Sequence, residues 1–355
     1  MHELGQSLWL DNITRDLFKS GTLKRYIKEW SVTGLISDPT RFGHAIKNSS
    51  TYDAAILKKL KEDKLGEELF FELALEDLSH AAGLFRPIYD QTDGADGWVS
   101  LEVSPLRVHD ATSTLAAAKD LFTRMRLPNF FIKIPGTKEG LPAIEEAIFA
   151  GVPVNVTLLF SREQYLAAAE AFLRGIERRI ATKLKPNVGS VASLVISRWD
   201  AAVLDKVPDA RRGQLGIAIA RRTYKAWRDL QRSPRWERAY NAGARPQRLL
   251  WASTGTIDHN SNLIYLKALA APFTVNTMSE ATLKALADLL DLGTLLPANG
   301  GNCEVVLARF AQAGIDIDTL AGQLQDEGVA ACVKSWIELM EVIASKSAAL
   351  TQAQS

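Results

Sequence analysis

The chemistry of this chain is concentrated in a few polar residues set into apolar runs. In Asn129-Phe130-Phe131-Ile132-Lys133-Ile134-Pro135-Gly136-Thr137, a lysine interrupts a strand-like stretch. Alternation puts Phe130, Ile132 and Ile134 on one face and Phe131 and Lys133 on the other. A buried ammonium is costly, so two readings stand. Lys133 could end its strand and reach water along its stem. Alternatively it sits in a partly dry pocket with its pKa lowered, and the neutral amine attacks a carbonyl to form a Schiff base.

Other strand-like runs carry polar residues in the same way. Ser7-Leu8-Trp9-Leu10-Asp11 ends in an acid, and Trp98 to Val103 holds Glu102. Val152 to Leu158 holds Asn155 and Thr157, and Val191 to Ile196 holds Ser193. If Leu8, Leu10, Val99, Leu101, Val103, Ile132, Ile134, Val154, Val156, Leu158, Ala192, Leu194 and Ile196 pack outward on helices, the opposite face turns inward. Asp11, Glu102, Lys133, Asn155, Thr157 and Ser193 then converge on one interior. The set is chemically coherent. A lysine adding to a ketone needs an acid/base and a placed water to dehydrate the carbinolamine, which suits Glu102 and Thr157. The iminium is an electron sink for carbon–carbon cleavage, and Asp11 can take the proton of the cleaved carbon's hydroxyl. Asn155 and Ser193 can hold the hydroxyls of a polyol. No metal or other cofactor is required: His2, His44, His80, His109 and His259 are scattered without ligand spacing.

Positioning these groups takes alternating strands and helices. Strand candidates begin near Ser7, Thr33, Trp98, Phe130, Val152, Val191, Arg248 and Phe273. Helical patterns cover 21–30, 54–60, 66–82, 111–126, 139–150, 162–181 and 199–231, with a turn or short helix over 12–19 and a polar loop over 91–97. Eight parallel strands with right-handed crossovers imply an α/β fold, a (β/α)8 TIM barrel. It carries a helical insertion over about 40–85 and a helical C-terminal segment over about 280–347. The whole, 1–355, is expected to be one domain. An open doubly wound sheet is disfavoured because no Gly-rich phosphate loop follows the first strand.

The composition is ordinary: 355 residues, 47% hydrophobic, 23% charged, net charge +1. That balance supports neither nucleic-acid nor membrane-surface binding. The first residues do not form a signal peptide, and no apolar run could cross a bilayer. The cytoplasm is the expected address. Cys303 and Cys332 are expected as two free, buried thiols. The sequence leaves the oligomeric state open, a homo-oligomer included.

With these strands in place, the chain resembles the transaldolase family of class I Schiff-base aldolases, in the bacterial branch sometimes fused to glucose-6-phosphate isomerase, without the isomerase domain. The motifs are Ser-Leu-Trp-Leu-Asp11, Ser-Leu-Glu102-Val, Phe-Ile-Lys133-Ile-Pro-Gly-Thr, Asn155-Val-Thr157-Leu-Leu-Phe, Ser-Val-Ala-Ser193-Leu-Val-Ile-Ser-Arg198 and Leu-Leu-Trp-Ala-Ser253. The resemblance implies an enzyme of the pentose phosphate pathway type that moves a dihydroxyacetone unit between sugar phosphates. It implies Lys133 as the covalent residue, Asp11 as acid/base, and Glu102 and Thr157 handling the water. Asn155, Ser193 and Ser253 would bind donor hydroxyls or phosphate, and Arg198 would grip a phosphate.

Three positions depart from the family. Asp38-Pro39 stands where Asn-Pro is usual, which loses an amide donor in the substrate-binding set and adds negative charge near the lysine. Ile257 replaces a lysine of the phosphate site, and Ser261-Asn262-Leu263-Ile264-Tyr265 varies another segment. Asp38 and Ile257 motivate an alternative, a recruited relative using the iminium on a different, less phosphorylated substrate in specialised metabolism. A non-catalytic barrel is disfavoured by the joint presence of Lys133, Glu102, Asp11 and Thr157.

Overall fold

The predicted strand–helix alternation closes on itself. The structure, a computed structural model, describes residues 1–255, 263–289 and 293–353. Strands β1 (Ser7–Leu10), β2 (Val32–Ile36), β3 (Val99–Glu102), β4 (Phe130–Pro135), β5 (Val154–Leu159), β6 (Ser190–Val195), β7 (Arg248–Ala252) and β8 (Val275–Met278) form a closed parallel barrel in sequential order. Pairing of β1 with β8 completes the ring. The fold is therefore the expected (β/α)8 barrel.

Helices α1 (Arg15–Lys19) and α2 (Thr22–Trp30) link β1 to β2. Three helices follow β2: α3 (Pro39–Asn48), α4 (Asp53–Leu60) and α5 (Gly66–Gln91). The rest are α6 (Ala111–Met125), α7 (Gly140–Ala150), α8 (Arg162–Ala181), α9 (Ser197–Ala202), α10 (Leu215–Gln231), α11 (Pro234–Asn241), α12 (Ile264–Ala268), α13 (Glu280–Ala287), α14 (Cys303–Gln312) and α15 (Ile317–Gln352). None of these is long and apolar enough to cross a membrane.

Strand alternation sorts the core into two shells. Leu8, Leu10, Phe130, Ile132, Ile134, Val154 and Val156 pack outward with the helices. Trp9, Trp98, Phe131, Val191, Leu250 and Val275 form a separate cluster inside the barrel, where the strands begin. Trp98 stacks on Phe131 at 4.0 Å between ring centroids. Trp9 fits because β2 carries Gly34, where a Cβ would lie 2.5 Å from the indole nitrogen.

Four local expectations need refinement or correction. The helical insertion contains a further helix, α3, ahead of the patterns at 54–60 and 66–82, and Asp38 and Pro39 mark its start: the Asp38 carboxylate accepts the Arg41 N–H at 3.0 Å, and Pro39 occupies the first helical turn. Helix α5 runs past residue 82 to Gln91, because Phe85 and Ile88 extend its apolar stripe beyond Leu78 and Ala81. The span 199–231 is broken: Asp200 caps α10 through the N–H groups of Leu215 (2.9 Å) and Gly216 (3.1 Å), and a new helix starts there. Leu158 leaves the outer cluster that holds Val154, Val156 and Leu159 and packs instead beside α15. It has a left-handed φ of 58° where the β5–β6 register shifts, and it lines the central cavity.

Candidate active site

Register brings the predicted groups together. Glu102 on β3 pairs across from Lys133 on β4, and Lys133 pairs across from Asn155 on β5. Pro135 pairs with Thr157, carrying that hydroxyl one layer higher. Gly136 follows, where a Cβ would come 2.5 Å from the Leu159 side chain and 2.9 Å from that of Val156 on β5. The result is a cavity of about 290 Å³ where the strands end, the end at which barrel enzymes place their sites. Asp11, Asp38, Glu102, Lys133, Asn155, Thr157, Ser193, Arg198 and Ser253 all line it. Ile257 and His259 lie outside the described residues, as do Ser261 and Asn262.

Lys133 is 9% exposed and neither snorkels nor stands alone. Its Nζ donates to Glu102 Oε2 at 3.0 Å and to the Ser37 carbonyl at 3.2 Å. Burial by itself would depress its pKa, but the charges of Glu102 and Asp38 outweigh that, and the net direction is upward. This reverses the expectation of a depressed lysine. The resting side chain is held as an ammonium beside the Glu102 carboxylate, and a nucleophilic role would require that proton to move first.

The far wall is a hydrogen-bonded relay: Ser193 Oγ donates to Asn155 Oδ1 at 2.7 Å, and Asn155 Nδ2 donates to Ser100 Oγ at 3.2 Å. The buried Thr157 hydroxyl has no partner among the described residues. Asp11, just past β1, has its pKa raised by burial, lowered by Arg41 and raised again by Asp38. Arg198, in the first turn of α9, reaches the cavity from an exposed position.

The remaining wall comes from far along the chain. Ala331, Cys332 and Ser335 on α15 line the cavity. Ser335 lies 3.1 Å from the Thr40 hydroxyl, and the Trp336 indole N–H donates to Glu67 at 2.8 Å. These contacts hold the helix across the barrel mouth. Cys332 is therefore half-buried at the cavity rather than in the core, while Cys303 is buried. Burial pushes the Cys332 thiol up to about 12, which keeps it neutral. Neither this wall nor Arg41 has a local sequence signal for the site. Only the position of Arg41 three residues past the Asp38 cap could have drawn notice.

A lysine paired with one carboxylate, a second carboxylate across a small cavity, and several hydroxyl and amide groups can support imine formation and proton transfer on a polyhydroxy ketone. Known proteins point the same way. A family model described as transaldolase/fructose-6-phosphate aldolase matches residues 8–343. The chain is 39% identical over 361 residues to the transaldolase of Thermobifida fusca, covering 99% of this chain and 98% of that protein. It is 36% identical over 364 residues to transaldolase 2 of Nostoc punctiforme, covering 97% and 96% respectively. With the transaldolase of Saccharopolyspora erythraea it shares 39% over 351 residues, covering 97% and 95%.

Proposed function

The chain belongs to the transaldolase/fructose-6-phosphate aldolase family, and from that premise we propose that it is a transaldolase moving a dihydroxyacetone unit from a ketose phosphate to an aldose phosphate. The observation that carries this reading is the Lys133–Glu102 pair, 3.0 Å apart at the base of the strand-end cavity.

Glu102 takes the proton of Lys133, and the freed amine adds to the ketone carbon. Glu102, now an acid, returns that proton to the carbinolamine hydroxyl, and water leaves against the Thr157 hydroxyl. The resulting iminium accepts the electron pair of the adjacent carbon–carbon bond as Asp11 removes the hydroxyl proton of the departing carbon. The aldose product departs, leaving an enamine on Lys133. This enamine attacks the aldehyde of the acceptor, Asp11 gives the proton back, and hydrolysis frees the new ketose. Asn155 and Ser193 hold the donor hydroxyls, and Asp38 and Ser253 border the same unit. Arg198 faces the phosphate, a bidentate role that suits a guanidinium. We assign the reaction to the cytoplasm.

Borohydride trapping with fructose 6-phosphate tests the reading. A dihydroxyacetone adduct on Lys133, located by mass spectrometry, and efficient turnover with erythrose 4-phosphate are expected. An adduct with poor turnover of that pair would move the assignment to a less phosphorylated substrate. No adduct would end it.

A further inference from the structure

The acid/base of this site has a neighbour to which no role has yet been given. Arg41 Nη2 lies 3.2 Å from Asp11 Oδ1 and 3.4 Å from Oδ2. The two side chains are 39% and 35% exposed, so they meet at the cavity rim. Arg41 is not held there by chance of rotamer alone. Its backbone N–H is the donor to the Asp38 cap, so the start of α3 fixes where the guanidinium begins.

Asp11 faces a mixed set of charges. Asp38 comes from the exit of β2, Glu102 from β3, Lys133 from β4 and Arg198 from α9, all lining the same cavity. Arg15, on the helix just after Asp11, is turned away and committed to Asp77 and Glu76 at 2.7 and 2.8 Å. Lys133 is committed to Glu102. Among the described residues, the direct cationic partner of Asp11 is Arg41.

We propose that Arg41 is a positioning residue that holds the Asp11 carboxylate, through a lateral ion pair, as the base for carbon–carbon cleavage. This rests on the reading of Asp11 as that base. The need for such a residue follows from the neighbours. Burial and the Asp38 charge both favour the protonated acid, in which form Asp11 cannot accept the hydroxyl proton, and Arg41 opposes them. The same cap that brings a second carboxylate toward Asp11 thus also brings the cation that offsets it.

The test compares Arg41→Met and Arg41→Lys with the unaltered chain over roughly pH 4 to 9, reading kcat and KM for transfer from fructose 6-phosphate to erythrose 4-phosphate together with borohydride trapping at Lys133. Arg41→Met should move the acidic limb of kcat up by about one pH unit. That costs about tenfold at the acid end and little at the alkaline end, with trapping intact. Arg41→Lys should restore most of the shift. An equal loss at every pH would mean a merely structural role and overturn the proposal. So would a rise in KM with an unmoved pH profile, which would make Arg41 a substrate contact. Failure of trapping in the unaltered chain would sink the Schiff-base reading itself, and this inference with it.

Discussion

Where the barrel strands begin, the charged side chains inside the ring are each held by several protein partners. Asp96 accepts the Trp9 indole N–H at 2.9 Å, the Gly97 N–H at 3.0 Å and the Ser7 hydroxyl. Arg248 is spread over the Ala95, Phe273 and Thr274 carbonyls and Ser7. Trp9, Trp98, Phe131 and Leu250 fill the space between. Where the strands end, the same inward faces carry Lys133, Glu102, Asp11 and Thr157 around a cavity, and the Thr157 hydroxyl lacks a partner among the described residues. The difference is one of completion. One end commits its charged groups, Asp96 and Arg248, to protein partners and adds aromatic packing, which stabilises the ring. The other keeps capacity in reserve for a substrate, and the rigid end holds that reserve in place.

Strand β4 carries both ends on a single face, Phe131 below and Lys133 above, so two substitutions two residues apart should separate them. Lys133→Ala should lower turnover at least about a thousandfold and abolish borohydride trapping; residual turnover near that of the unaltered chain would remove Lys133 from the chemistry. Phe131→Ala should cost about 3–5 kcal/mol of stability, read by urea unfolding, while the folded fraction still forms the Lys133 adduct. Loss of trapping in a folded Phe131 variant would show that the two ends are not separable.

Smaller changes probe the upper end alone. Glu102→Gln removes the strongest influence raising the Lys133 pKa, so burial should then pull the lysine down. Imine formation would reach its plateau at lower pH, yet at a rate about a hundredfold below that of the unaltered chain, because the proposed proton shuttle is gone. Stopped-flow trapping across pH would show a profile moved toward acid; a move toward alkali would contradict the pairing. Asp38→Asn should have the least effect. Asparagine caps helices as well as aspartate does, so stability should stay within about 0.5 kcal/mol, and the Lys133 profile should move to acid by less than in Glu102→Gln. A larger loss of stability would mean that the Asp38 charge, beyond its capping geometry, anchors α3.

Much of this was legible from alternation. Leu8, Val99, Ile132 and Val154 announce their outward faces, and a barrel leaves only one destination for Asp11, Glu102, Lys133, Asn155, Thr157 and Ser193. Alternation failed at Leu158, where a left-handed residue breaks the period of two. The direction of the Lys133 shift was not legible either. It depends on whether burial or Glu102 dominates, and a 3.0 Å contact between neighbouring strands is a fact of register rather than of composition. Helix α3 was readable in principle from Asp38-Pro39. The wall formed by Ala331, Cys332 and Ser335 was not, since residues near 133 and near 332 meet only through the packing of α15 against α3 and the insertion.

That wall bears on how the protein is born. A ribosome delivers Asp11, Lys133 and Ser193 long before it delivers Trp336, whose indole N–H fastens α15 to Glu67. Even the last barrel seam, β1 against β8, waits for residue 275. Nascent chains can condense partial sheets, but a cut-short translation product would expose the Lys133 amine to solvent with one side of the vessel missing. Competence for catalysis arrives late in synthesis, so prematurely terminated copies are expected to be inert toward cellular sugars.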